Sequence, residues 1–235
     1  MIPGAVNLRD VGGLRAGPAT TRHGVLYRSG NLARLDAGGA RALADLRLRR
    51  IIDLRADDEI ARDPSRLDGM EVVTQRVPLF LGSVESFFRD DLSLEEMYRR
   101  IVDDSSAGVV DVVRGILQDQ PVLVHCTVGK DRTGVTVALT LAAVGVDADD
   151  VIADYARTET LLPARRSRRV LRALQAMHPE AVHLEELATK SPAPVMHALL
   201  EDVGARYGSA ADYLRAHGLV DDEIAELRRV LLRDD

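Results

Sequence analysis

Val122-Leu123-Val124 runs into His125-Cys126-Thr127-Val128-Gly129-Lys130-Asp131-Arg132-Thr133-Gly134, and an apolar stretch from Val135 to Val146 follows. A short apolar strand, a glycine-bearing polar turn and a helix apolar on nearly every face restrict the fold more than any other segment. Such a strand is buried on both sides, which calls for a mostly parallel sheet covered by helices. In sheets of that kind ligands bind beyond the carboxyl ends of the strands, where this turn must lie. Val25-Leu26-Tyr27, Ile51-Ile52-Asp53-Leu54 and Val72 to Val77 read as further strands. Helices are expected from an Asp36 cap through Leu43 and Leu46, from near Ser93, and over 106–119; the one from Arg132 should be central and buried. After Asp147 the pattern is helical to the end of the sequence, punctuated by Pro163, Pro179, Pro192, Gly208 and Gly218. The expectation is an α/β fold with a central, mostly parallel sheet flanked by helices and a helical C-terminal part. It is read as one domain over 1–235, with the sheet within about 1–146 and a helical extension and candidate lid over about 147–235.

The turn carries the chemistry. Cys126 is the one cysteine of the chain, and Arg132 follows it after five residues. A phosphate monoester is a dianion whose equatorial oxygens must be held while a nucleophile attacks in line with the leaving oxygen. Backbone N–H groups curled around a short loop make such a nest, and the N-terminus of the next helix adds favourable dipole. Arg132 supplies a planar charged fork that grips two oxygens, which a lysine cannot reproduce. Cys126 must attack as a thiolate, a form favoured at helix N-termini beside cations. Attack gives a thiophosphate that water later hydrolyses. Thr127, Val128, Gly129, Lys130 and Thr133 are expected to contact substrate, Thr133 also donating to the sulfur, while Gly129 and Gly134 permit the curvature. His125 is read as buried and orienting the loop.

Plainer readings fare worse. An isolated cysteine is usually a small buried hydrophobe, but this one sits among polar residues at a strand end. A nucleotide-binding loop would need glycine at Val124 and serine or threonine at Asp131. A count of one excludes a disulfide or an all-cysteine metal site. No metal or cofactor is expected.

The string HCTVGKDRTG resembles the active-site loop of the bacterial PtpB-like phosphatases, a branch of the protein-tyrosine phosphatase superfamily. Asn7-Leu8-Arg9-Asp10-Val11-Gly12-Gly13, Tyr27-Arg28-Ser29-Gly30, Ile52-Asp53-Leu54-Arg55, and Tyr207-Gly208-Ser209 through Leu219-Val220-Asp221-Asp222-Glu223-Ile224 are similar to its other signature segments, in the same order. The resemblance implies Cys126 as nucleophile, Arg132 as phosphate clamp and Asp131 as general acid. It also implies hydrolysis of phosphotyrosine, with phosphoserine, phosphothreonine and phosphoinositides as further substrates. Many relatives draw the acid from a separate loop upstream, which makes Asp90 and Asp91 competing candidates; an ordinary solvated turn is the preferred reading for both. In phosphatases of lipid type a lysine in the loop meets additional phosphates, so Lys130 has that role open to it, beside simple support of the bound dianion. Asp53 and Arg55 are read as supports for the loop.

Other features bear on partners and location. A formal charge of −6 and a pI near 5.6 argue against nucleic acid. Met1 to Asn7 shows no signal-peptide pattern, and the apolar stretch from Val135 to Val146 falls short of the roughly 20 residues that span a bilayer. No integral membrane segment is expected, and a cytoplasmic location suits a free thiol, with signal-less export left open. Phe80, Phe87 and Phe88 cluster in one segment, read as core under a lid or as a wall of the pocket. Arg165, Arg166, Arg168, Arg169 and Arg172 share a helix with Val170, Leu171, Leu174 and Met177. That helix is read as solvated and amphipathic, with peripheral contact to anionic headgroups or a lid as alternatives. The partners expected are a phosphorylated protein, a phosphoinositide, or both. Three rival functions are weaker: a non-catalytic phosphate-binding module does not need the full nucleophile, arginine and aspartate set, and arsenate reduction needs further cysteines. Sulfur transfer would not require Asp131.

Overall fold

In the computed structural model, residues 2–79 and 89–234 are described. Phe80, Phe87 and Phe88 lie outside them. Two sheets and eleven helices are present among the described residues. The main sheet has five strands in the order β1 (Arg9–Asp10), β4 (Leu26–Ser29), β7 (Val122–His125), β5 (Arg50–Asp53), β6 (Val73–Arg76). All its pairs are parallel except β1 with β4. The strand ahead of the active-site turn is therefore central, and its register aligns Ser29, His125 and Asp53 across the carboxyl edge.

Alternation along the strands explains why the run is uniformly apolar. Val122 and Val124 enter one core with Ile52, while Leu123 enters a second core on the opposite face with Ile51, Leu32, Leu35 and Leu43. Helix α1 (Ala37–Ala44) closes the second face, and the Asp36 carboxylate caps it by accepting from the Gly39 N–H at 2.7 Å. Helices α3 (Leu94–Asp104) and α4 (Ser106–Gln118) cover the first face, α3 starting at a Ser93/Glu96 capping box. Helix α5 (Asp131–Ala143), directly after the turn, is buried along nearly its whole length, as its all-round apolarity implies. Short helix α2 (Asp57–Arg62) follows β5 at the same edge.

The C-terminal part adds α6 (Ala148–Leu161), α7 (Ala164–Met177), α8 (Leu184–Thr189), α9 (Ala193–Tyr207), α10 (Ala210–Ala216) and α11 (Asp221–Leu231). Helices α6, α9, α10 and α11 contribute to the main core. Helix α8 adds Leu187 to that core, and α7 and α8 share a small cluster of their own around Leu174, Leu184 and Ala188. The expectation of helix to the end is corrected here: β8 (Leu232–Asp234) pairs antiparallel with β3 (Ala19–Thr21), which also pairs with β2 (Arg15–Ala16). Leu and Arg favour helix locally, but the edge of a two-stranded ribbon offers unpaired backbone groups that the chain end satisfies.

Candidate active site

The turn leaves β7 at His125, whose carbonyl accepts from the Leu54 N–H at 2.9 Å. Cys126 is buried (3% exposed), facing into the curve, and its Sγ accepts from the Gly129 N–H at 3.2 Å. Gly129 has φ +73, and a Cβ there would lie 2.4 Å from the backbone of Ser29, so both the conformation and the space demand glycine. Gly134 serves a different purpose from the expected one. It lies inside α5, where a Cβ would press on the Tyr155 ring at 3.1 Å. The hydrogen bond expected from Thr133 to the sulfur is also corrected: its hydroxyl is buried and has no partner among the described residues. The Gly129 N–H takes that place.

Arg132 reaches back across the mouth of the turn to a residue the sequence did not announce. Its Nη1 and Nη2 donate to Oε2 and Oε1 of Glu59 at 2.6 and 2.8 Å, and Nη1 also reaches the Leu54 carbonyl at 3.3 Å. Thr127 donates its hydroxyl to the same carboxylate. Burial by itself would raise the Glu59 carboxyl, but the bonds and charge of Arg132 overcome it and hold the group down to about 2. Burial pulls the Arg132 guanidinium down and Glu59 more than restores it, so the fork stays charged. A bidentate partner fixes the guanidinium plane before any phosphate arrives.

Asp131 occupies the first turn of α5, where an acid is favoured by the helix dipole. Its Oδ1 accepts from Lys130 Nζ at 2.5 Å and from the Tyr98 hydroxyl at 2.9 Å. The Tyr98 and Tyr155 hydroxyls are 2.7 Å apart, and burial, then the charge of Asp131, keeps both phenols from ionising. Lys130 is buried, with its ammonium on Asp131. His125 is fully buried with Nδ1 3.3 Å from the Cys126 carbonyl, and desolvation lowers its pKa although Asp53 opposes this. It is a neutral ring held by packing. Asp53 accepts from the backbone and side chain of Arg55 at 2.7 to 3.2 Å, and Arg55 in turn donates to the Asp63 carbonyl and Ser65. Burial raises the Asp53 carboxyl, and Arg55 brings the balance below the ordinary value.

A second buried network grips the turn from outside. The Gly129 carbonyl accepts from Asn7 Nδ2 at 2.8 Å and from Arg28 Nη2 at 3.1 Å. Arg28 donates to Asp154 at 2.7 Å, and Arg9 donates to the other oxygen of that carboxylate at 2.6 Å. Two N-terminal segments and helix α6 thus hold one carbonyl of the loop. Sequence reasoning held Asn7, Arg9 and Arg28 only as members of signature segments and missed Asp154, Tyr98 and Tyr155 as parts of the site. A signal existed for Asp154 and Tyr155: Val151, Asp154, Tyr155 and Thr158 share the buried face of α6 at helical spacing.

The upstream aspartates are placed differently. Asp91 accepts from the Val182 and His183 N–H groups at 2.9 and 2.8 Å, which lowers its pKa and ties the α7–α8 connection to the start of α3. Asp90 pairs with Arg89 at 3.1 Å.

A buried cysteine sulfur that accepts from a loop N–H, followed after five residues by a charged arginine, is the arrangement of a cysteine-dependent phosphatase. The chain belongs to the tyrosine phosphatase family, whose model matches residues 1–233. It is 31% identical to triple specificity protein phosphatase PtpB of Mycobacterium tuberculosis over 98% of each chain. It is 29% identical to a putative tyrosine-protein phosphatase of Cupriavidus necator over 94% of this chain and 84% of that one. A tyrosine-protein phosphatase of Nostoc commune is 31% identical over 86% of this chain and 72% of that one. The mostly parallel sheet with helices on both faces, expected from the sequence, is the architecture found.

Proposed function

We propose that the site hydrolyses phosphotyrosine, with phosphoserine, phosphothreonine and phosphoinositides as further substrates, through a thiophosphate on Cys126. The observation that carries this reading is the position of the Cys126 sulfur at the base of the nest, opposite an arginine whose fork is already oriented by Glu59. The mycobacterial relative is a triple specificity protein phosphatase by name, which supports the breadth of substrates.

In the first step the thiolate attacks phosphorus, the bond from phosphorus to the ester oxygen breaks, and Asp131 gives its proton to the leaving oxygen. A phenolate leaves poorly, so that proton is worth roughly 10²–10⁴ in rate. In the second step water attacks phosphorus and returns a proton to Asp131, and the thiolate departs, which restores the enzyme. Arg132 and the loop N–H groups hold the phosphoryl oxygens throughout. Thr127, Val128, Gly129 and Lys130 contribute mainly backbone to the nest, since the Thr127 and Lys130 side chains are engaged with Glu59 and Asp131. His125, Asp53 and Arg55 support the loop from the sheet edge.

The chain is read as a single unit, because one apolar core gathers residues from Val11 to Leu231. No helix among the described residues is long and apolar enough to cross a membrane, and a reducing, cytoplasmic compartment suits the single thiol. The test is aryl phosphate turnover by the native chain and by Cys126→Ser. Loss of roughly 10⁴-fold or more is expected, and trapping after rapid quench should place phosphate on the native sulfur. Turnover that survives the substitution overturns the reading.

A further inference from the structure

Helix α7 carries a row of uncompensated positive charge. Several arginines elsewhere are matched: Arg9 and Arg28 with Asp154, Arg55 with Asp53, Arg114 with Glu223, Arg206 with Asp103. Arg165, Arg166, Arg168, Arg169 and Arg172 pair with no carboxylate among the described residues, and they line an open groove of about 520 Å³. Four of the five are exposed, as a solvated face would have them. Arg166 differs. Its Nη1 is covered from solvent and has no hydrogen-bond partner, and a covered charged donor without an acceptor is costly.

Its neighbours make the situation worse. Burial first, then the charges of Arg34 and Arg169, push the Arg166 guanidinium below its ordinary value, while the Cys126 sulfur opposes them. Arg166 therefore lies within electrostatic reach of both the nucleophile and Arg34. Arg34 follows β4 in the segment whose Asn31 N–H donates to the Thr127 carbonyl at 3.1 Å, so it flanks the same loop.

We propose that Arg166, with Arg34 and Arg169, forms a second anion subsite beside the Cys126 nest, which takes a second phosphate of a compact, multiply phosphorylated substrate. The inference rests on the reading that the nest holds a phosphate. A second anion would supply the acceptor that Arg166 Nη1 lacks and relieve the repulsion among three like charges. A membrane surface or an extended peptide would meet the exposed Arg165, Arg168 and Arg172 first. Lys130, which the sequence left open to additional phosphates, is already bound to Asp131, which leaves a second phosphate to α7.

The experiment is calorimetric binding of inositol 1-phosphate and of an inositol bisphosphate to the full chain carrying Cys126→Ser, alone and with Arg166→Ala, Arg34→Ala or Arg172→Ala added. The bisphosphate should bind roughly tenfold tighter, the worth of about one charge-assisted contact. Arg166→Ala should remove that preference and Arg34→Ala reduce it, whereas Arg166→Lys should keep part and Arg172→Ala nearly all. Monophosphate binding with no bisphosphate advantage overturns the subsite alone; no binding of either overturns the phosphate nest as well. Equal loss of both ligands in Arg166→Ala shows a structural role and overturns it. So does a preference that depends on Arg172 rather than Arg166, the pattern of a membrane-facing surface. An Arg166 dependence seen only with a doubly phosphorylated peptide also overturns the compact ligand.

Discussion

Arg132 gives two guanidinium nitrogens to the Glu59 carboxylate, at 2.6 and 2.8 Å. The pair acts through geometry: an unrestrained arginine would have to be oriented during each turnover. Glu59→Gln keeps the shape and removes the charge, so one strong contact becomes a weak one and the fork tilts. Aryl phosphate kcat/KM should fall by about 10²-fold, the usual consequence of a displacement near 1 Å. The alanine variant should be no more active, and steady-state kinetics of both check the claim. The same carboxyl makes stability depend on pH. Its folded pKa of about 2 lies below its ordinary value of 4.5, so its contribution is full above 4.5 and is lost as pH falls from there towards 2. Denaturant midpoints of the native chain across that window should drop more steeply than those of Glu59→Gln.

Asp154 stands between Arg9 and Arg28 with all three side chains buried. Burial favours its neutral form, and the two guanidinium charges outweigh that and lower its pKa. Arg9, pushed down by burial and by Arg28, sits at about 10. Removing the one acid would leave two buried cations facing each other and free the Gly129 carbonyl from its brace. Asp154→Ala should cost roughly 3–5 kcal/mol of stability, read from urea unfolding. A cost under 1 kcal/mol would mean that the network is not needed to hold the loop.

The parts of this molecule visible in its sequence are those governed by local pattern. The apolar run Val122 to Val124, the turn and the all-round apolar helix α5 gave the centre of the sheet and the face on which the site lies. The strand at Leu232–Asp234 was hidden because its pairing with Ala19–Thr21 depends on residues more than two hundred positions away. Glu59 was hidden for a similar reason. It closes the run Asp57-Asp58-Glu59, which by itself reads as an acidic first turn facing water. Only the fold brings Arg132 to it. The partners of Asp10 and Arg28 were likewise set by the fold: Asp10 accepts from the Gly12 and Gly24 N–H groups, and Arg28 goes to Asp154 on a helix far along the chain.

Asp131 and Asp91 can be separated by function. Asp131 borders the nest, whereas Asp91 accepts two N–H groups from the α7–α8 connection. Asp131→Asn should lower turnover of phenyl phosphate by roughly 10²–10⁴-fold. Asp91→Asn should change that rate less than about threefold and instead speed hydrogen exchange at Val182 and His183, since it weakens their acceptor. If the two variants swapped these phenotypes, the general acid would have to be sought upstream.

Tyr98 offers the sharpest test of how that acid is held. Its hydroxyl donates to Asp131 Oδ1, the oxygen that also receives Lys130, so on the proposed mechanism Oδ2 is the oxygen that would pass a proton. Tyr155 supports Tyr98 from α6, and their rings meet edge-on with centroids 6.0 Å apart, so packing keeps the phenol in place. Tyr98→Phe preserves that packing and deletes only the hydrogen bond. An ester whose leaving phenolate needs a proton should lose about tenfold in kcat, a modest part of what general acid catalysis supplies. A dinitrophenyl phosphate, whose leaving group departs without help, should lose far less. Equal losses on the two esters would show that Tyr98 maintains the fold of the site and has no part in directing its proton.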